Sequence, residues 1–142
     1  MTKDVWISIR GLQFEGAEDA EEIEVLQKGQ YYKRNGTNYL IYEEPVEGSS
    51  AIIKNTIKFK NSEAQVSKKG AINTCLSFLE NEKNLTNYET PYGNLMIGID
   101  TKQIQIEESE DVLKLHISYA LDINYEFLAD CKISVEAKSM ES

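Results

Sequence analysis

Leu113-Lys114-Leu115-His116-Ile117-Ser118-Tyr119-Ala120-Leu121-Asp122-Ile123 is the stretch that decides the fold. Apolar side chains occupy every odd position, and the even positions carry Lys114, His116, Ser118 and Asp122. Successive side chains of an extended strand point to opposite faces, so this period of two describes a long strand with one dry and one wet side. A helix would need its apolar residues three or four apart. One dry and one wet side is also the mark of an antiparallel sheet.

The same alternation recurs outward from this segment. Upstream, Ala51, Ile53, Asn55, Ile57 and Phe59 share one phase, as do Ile72, Thr74, Leu76 and Phe78. Leu85 to Glu89 is a short strand, Leu95, Ile97 and Ile99 form another, and Ile104 with Ile106 reads as a brief separate one. Downstream, Ile133 and Val135 close the series, and a polar tail begins at about Lys138. Near the start, Val5, Ile7 and Ile9 alternate, and the phase changes at Gly11 to Leu12 and Phe14. A second change brackets Gly29, between Ile23 with Val25 and Tyr32. A glycine at a phase change is the signature of a β-bulge or bend. Asn35-Gly36 between two strand-like runs is a hairpin turn, because both of its central residues must adopt positive φ. Thr90-Pro91-Tyr92-Gly93 reads as a tight turn.

These segments amount to about eight to ten strands with turns roughly every eight to twelve residues, and no amphipathic helix competes with them. The fold class is therefore all-β. Long strands with bending glycines favour one closed or nearly closed antiparallel barrel, since bending is how a sheet closes on itself. A chain of 142 residues suits one domain, spanning 1–142.

Composition narrows the function classes. Twenty-four acids against 15 bases give a net charge of −9, so a phosphate-neutralising surface would need strong local segregation of the bases. No nucleic acid or anionic membrane is expected as partner. The first ten residues hold no apolar signal-peptide core and no run is long enough to span a bilayer, so a cytoplasmic location is expected. Two cysteines, Cys75 and Cys131, build neither a disulfide scaffold nor a zinc site. Their phases place Cys131 in the core and Cys75 outside, which argues against a bond between them.

Several phrases occur together in order: Gly29-Gln30-Tyr31-Tyr32-Lys33-Arg34-Asn35-Gly36, Tyr39-Leu40-Ile41-Tyr42-Glu43-Glu44, Lys69-Gly70, and Tyr88-Glu89-Thr90-Pro91-Tyr92-Gly93-Asn94-Leu95-Met96-Ile97-Gly98-Ile99, followed by the Leu115–Ile123 strand. This set resembles the YwiB-like family of small bacterial proteins of unknown function, over nearly the whole chain from about Val5 to Val135. The resemblance implies a calycin-like (lipocalin-like) β-barrel in the cytoplasm. It implies no substrate, cofactor or catalytic residue. The acidic Glu15–Glu22 stretch matches no feature of that family and reads as a solvated surface run.

Catalytic constellations are hard to assemble from these residues. His116 is the single histidine and lies on a polar strand face, which leaves no second imidazole for a metal site and no evident triad. Glu43 and Glu44 are adjacent on a strand and point to opposite faces, so they cannot form a carboxylate pair. An inward Glu43, in phase with Tyr39 and Ile41, would need a polar partner such as Arg10, Lys54 or Lys69. Tyrosine is enriched, with eight copies. Tyr31, Tyr32, Tyr39 and Tyr42 share one hairpin, and Tyr88 and Tyr92 flank the proline turn. Rings with hydroxyls serve equally in cores and in pocket linings.

Two functional expectations follow. In the first, the chain is a non-enzymatic barrel holding a small, partly apolar ligand at one end, with Arg10, Tyr32, Tyr42, Glu43, Tyr88 and Tyr92 as its contacts and with no metal or cofactor. In the second, side chains fill the barrel and it acts as a protein-interaction or scaffold module, meeting a partner or a second copy through an outer aromatic surface at Trp6, Leu12 and Phe14.

Overall fold

Alternation in the sequence becomes ten antiparallel strands: β1 Lys3–Arg10, β2 Glu24–Arg34, β3 Thr37–Pro45, β4 Ile52–Lys60, β5 Glu63–Gly70, β6 Thr74–Leu79, β7 Lys83–Thr90, β8 Gly93–Glu108, β9 Val112–Ile123 and β10 Glu126–Ser139. The computed structural model describes residues 3–11, 24–46, 48–70, 73–90 and 93–140, and for 24–25 and 88–90 their backbone alone. There is no helix among the described residues. Each strand pairs with its sequence neighbour except β6 with β7, and β1 also pairs with β10, giving the order β6-β5-β4-β3-β2-β1-β10-β9-β8-β7. The result is a nearly closed meander barrel whose one seam lies between β6 and β7. At that seam Asn84 Nδ2 donates to Ser77 O at 3.4 Å, and Ile104 N donates to Glu80 Oε2 at 2.8 Å.

The hairpin expected at Asn35-Gly36 is present, with φ of 52° and 80°. The two short strands expected at Leu95–Ile99 and Ile104–Ile106 are one strand. A register shift between Thr101 and Gln103 carries β8 from odd-inward to even-inward without breaking it, so a bulge accounts for the phase change that had read as a break. Around Gly29 the expectation fails in the other direction. β2 holds a single register against β1 from Glu24 to Tyr31, and no bulge occurs. Tyr31, not Tyr32, packs against the core, while Tyr32 stacks on Tyr39 at 4.6 Å between ring centroids. Glycine is needed at 29 for space. A Cβ there would lie 2.4 Å from Ile7 Cδ1 and 2.6 Å from Ile41 O. Gly11 has φ +85°, and its missing Cβ would collide with Lys132 O; the continuation expected at Leu12 and Phe14, like the acidic Glu15–Glu22 run, lies outside the described residues. Lys138, expected to begin a frayed tail, is held in the ladders between Trp6 and Val112.

Inward residues of every strand but β7 meet in one core among the described residues. Ile7, Phe59, Phe78, Ile117, Tyr119 and Ile133 are each at most 1% exposed, and Phe78 packs edge-on against Tyr119 at 5.1 Å. A hollow barrel would leave such lining residues open to a sphere the size of water. Their inaccessibility means that side chains fill the interior at this level, as a small barrel allows.

The two glycine roles differ in cost. Gly29→Ala should destabilise the protein by about 2–3 kcal/mol through overpacking. Gly36→Ala, with φ +80° and open space around it, should cost only about 1 kcal/mol for left-handed backbone. Urea denaturation of both variants checks the ranking.

Candidate functional site

On β3 the buried residues are Asn38, Leu40 and Tyr42, so the even positions face inward and the next of them is Glu44. Glu43, with Tyr39 and Ile41, lies on the outer side and is exposed. Its cross-strand neighbour is Lys54, which in turn faces Lys69, forming an outer charged row. The inward acid expected at position 43 is therefore its neighbour. The misreading has a simple cause: both faces of this strand carry two apolar residues, so alternation alone does not orient it.

Glu44 sits near the barrel end reached by the last residues of β3. Lys68 Nζ lies 2.9 Å from Glu44 Oε1, and Asn55 Nδ2 donates to the same oxygen at 2.9 Å. Burial raises the Glu44 pKa, but the hydrogen bonds from Lys68 and Asn55 and the Lys68 charge outweigh it, and the carboxyl is held below its ordinary value. Asn55 is buried, and its Oδ1 has no partner. Beside it on the neighbouring strand, burial and then the Glu44 charge push the Tyr42 hydroxyl up to about 12. Tyr42 is thus the one expected site residue placed in this cluster. Lys68 takes the part expected of Arg10, Lys54 or Lys69. Of the remaining candidates, Tyr88 has only its backbone described, paired with Leu95, and Tyr92 lies outside the described residues.

Toward the other end of the barrel the side chains of Tyr31 and Asn38 are satisfied. Tyr31 donates to Asn38 Oδ1 at 2.8 Å, and Asn38 Nδ2 donates to Phe59 O at 3.3 Å and Glu108 Oε1 at 3.4 Å. Lys33 pairs with Glu108 at 3.4 Å. This arrangement plugs the barrel rather than opening it.

Arg10 belongs to a different feature, on the outside of the wall made by β2, β1, β10 and β9. There a groove of about 380 Å³ is lined by Trp6, Leu26, Lys114, His116, Glu136 and Lys138, with Ser8, Arg10 and Ser134 beside them. Closure of the barrel assembles it. The β1–β10 ladder sets Trp6 opposite Lys138 and Ser8 opposite Glu136, and the β9–β10 ladder sets His116 opposite Ser134. Trp6 and Leu26 are 40% and 63% exposed, and Lys28 Nζ stands 5.3 Å from the indole centroid. Arg10, Lys114 and Lys138 outnumber Glu136 in the lining, so the groove is locally basic on a chain of net charge −9. Among the described residues Lys28, Lys114 and Lys138 form no ion pair. Sequence reading marked Trp6 as an outer aromatic but missed the groove, because its residues are contributed by strands more than a hundred positions apart.

His116 Nδ1 lies 3.2 Å from Ser134 Oγ, within reach for a serine–histidine pair. The backbone amides of β1, β9 and β10 are committed to ladders on both sides, so no free pair of N–H groups is available as an oxyanion hole. Cys75 is exposed and Cys131 half-buried against the core, both as free thiols. No group of three or more metal-binding side chains occurs among the described residues.

Comparison with known proteins places these features in context. Residues 7–135 match the family model described as a domain of unknown function, DUF1934. The chain is 27% identical over 106 residues to the uncharacterized β-barrel protein YwiB of Bacillus subtilis (strain 168), an overlap of 75% of this chain and 73% of that protein. The crystal structure of the ywiB protein from Bacillus subtilis matches with a TM-score of 0.74 at 22% identity, covering 97% of this chain and 92% of that one. At that identity the likeness establishes the barrel and says nothing of a ligand. The resemblance read from the Tyr-Glu-Thr-Pro-Tyr-Gly phrase and its companions is borne out.

Because the Tyr42 hydroxyl ionises more readily in the unfolded chain, its contribution to stability is full below about pH 10 and is lost as pH rises toward about 12. Tyr42→Phe should therefore lose about 2 kcal/mol less than the parent protein between about pH 9 and about pH 12. Denaturant titrations at the two pH values measure the difference.

Proposed function

This chain belongs to the DUF1934 family, and we propose that it is a non-catalytic interaction module, a filled β-barrel that engages an anionic, partly apolar partner in the groove around Trp6. The observation that carries this reading is the groove itself. Ammonium groups that form no ion pair among the described residues surround an exposed indole on an otherwise acidic protein. Cations so placed attract a negative group, while Trp6 and Leu26 offer apolar area beside it. The packed core supports the choice of the outer wall over the interior. A ligand inside the barrel would have to displace Phe59, Phe78 or Tyr119, which already occupy that space. Committed strand amides support a binding role over hydrolysis by Ser134 and His116.

A second reading rests on Asn55. A small polar ligand at the barrel end near Tyr42, Glu44 and Lys68 would supply the donor that Asn55 Oδ1 lacks. Native mass spectrometry of protein purified from its own host tests it: a small molecule that travels with the parent chain and is lost from Tyr42→Phe supports this site.

Trp6 is the single tryptophan, so its emission reports on the groove alone. Titration with 8-anilinonaphthalene-1-sulfonate, a fused apolar ring bearing one anion, should show saturable energy transfer from Trp6. The double variant Lys114→Gln/Lys138→Gln should weaken it about tenfold, equivalent to about 1.4 kcal/mol, and added salt should do likewise. Transfer that is absent, or equal in the variant, overturns the groove reading.

A further inference from the structure

The β9–β10 hairpin ends in an exposed apolar tip. Tyr125, Phe127 and Leu128 are 72%, 64% and 42% exposed. A register shift between Phe127 and Ala129 interrupts the alternation, which lets the consecutive residues Phe127 and Leu128 both face solvent. The turn is held in place: Asn124 N donates to Met96 O at 2.8 Å and Met96 N donates to Asn124 Oδ1 at 3.0 Å. Its two central residues, Asn124 and Tyr125, have φ of 49° and 69°. Asparagine tolerates that region and glycine is at ease in it, whereas a tyrosine there is strained. The fold thus retains an aromatic ring at a turn position where a glycine would be more stable, and strain of this kind gathers at functional positions.

The tip and the groove carry opposite charges. Glu126 and Asp130 flank the apolar tip, whereas Arg10, Lys28, Lys114 and Lys138 surround the groove. Both features belong to β10, the tip at its first residues and the groove at Ser134 to Lys138. Phe127 and Glu136 are separated by roughly 30 Å of extended chain. A two-fold axis crossing β10 between them carries each tip onto the groove of the other copy. The contact is then self-complementary and closes at two chains, with no open polymer.

We infer that the partner of the groove is a second copy of this chain, and that two copies dimerise reciprocally, the Tyr125–Leu128 tip of each seated against Trp6 of the other. This inference rests on the groove reading above and adds the identity of the occupant. Aromatic residues of the tip meet Trp6 and Leu26, and Glu126 and Asp130 approach the lysines, which supplies both the apolar centre and the charged rim of a small interface. Two protruding contacts on a convex wall make a weak dimer, with a dissociation constant in the tens of micromolar, as interfaces of limited area give.

Sedimentation equilibrium of the intact protein, from about 1 to about 300 µM, tests the inference. The expected result is a reversible monomer–dimer equilibrium that weakens about tenfold in high salt. Tyr125→Gly removes both the ring and the strain, so it should weaken the dimer about tenfold or more while raising the urea midpoint. A variant that was merely misfolded would lower that midpoint. Phe127→Ser should act on the dimer in the same direction and leave the anilinonaphthalene sulfonate titration of the groove intact. Lys114→Gln/Lys138→Gln should impair both. Mixing Phe127→Ser with Lys114→Gln/Lys138→Gln should restore part of the association, because one tip and one groove remain complementary. A parent protein that stays monomeric at the highest concentration while its groove still takes the dye overturns self-docking and leaves the groove reading standing. Loss of dye binding as well overturns both. A dimer unchanged by Tyr125→Gly and Phe127→Ser places the interface elsewhere and also overturns the inference.

Discussion

The pairing of the first strand with the last is the constraint on which the rest of the structure depends. Val5 to Arg10 of β1 runs in register against Ser134 to Ser139 of β10, while β1 also pairs with β2. Without that ladder the chain would be a six-stranded and a four-stranded meander with four raw edges, each offering unpaired backbone groups to other chains. With it, only β6 and β7 remain as edges, and they lie against each other. The ladder also sets the inside and outside of the wall that carries the groove. Ile7 and Ile9 face the core because their partners Ala137 and Val135 do, and Trp6 is left outside between Lys28 and Lys138.

At the seam there is no ladder to hold the barrel shut, and packing takes its place. Phe78 of β6 lies wholly buried with its ring edge-on to Tyr119 of β9, so the strand bordering the gap is anchored through the core to the opposite side of the sheet. A ring pair of that geometry contributes about 0.5–1.5 kcal/mol beyond simple burial. Filling the interior in this way gives the scaffold rigidity and moves chemistry outward. Polar side chains that stay inside are tied up near the ends, as Tyr31 with Asn38 and Glu44 with Lys68. Asn55 Oδ1 and the hydroxyls of Thr101 and Tyr119 are the unpaired exceptions among the described residues. On the outer wall, by contrast, Lys28, Lys114 and Lys138 form no ion pair among the described residues and stand around an exposed indole. A rigid support with an adaptable surface is the arrangement from which binding proteins are built.

How legible each part was depends on whether its signal is carried by one strand. Leu113–Ile123 and Ala51–Phe59 announced themselves because one face of each is apolar and the other polar, and both are strands with the expected side inward. Where both faces carry apolar groups, as in Tyr39–Glu44, the period is visible and the phase is not; Glu43 was oriented inward and Glu44 overlooked. Where a bulge shifts the phase within a strand, as between Thr101 and Gln103, one long strand reads as two. Gly29 looked like a bulge and is a point of close approach to Ile7 and Ile41, a distinction that only neighbouring strands can make.

The amino-acid sequence by itself determined that this chain is built of antiparallel strands, where most of them run, and that they wrap into a barrel, because side-chain alternation and turn chemistry are local properties of the backbone. It also carried the family, through short phrases strung along the whole length. Tertiary structure alone decided which ambiguous face turned inward, that the interior is filled, and that Trp6, Lys114, Ser134 and Lys138 share one groove. Those outcomes depend on ladder register between strands distant in sequence, and a shift of one residue in that register would send every side chain of a strand to the other face.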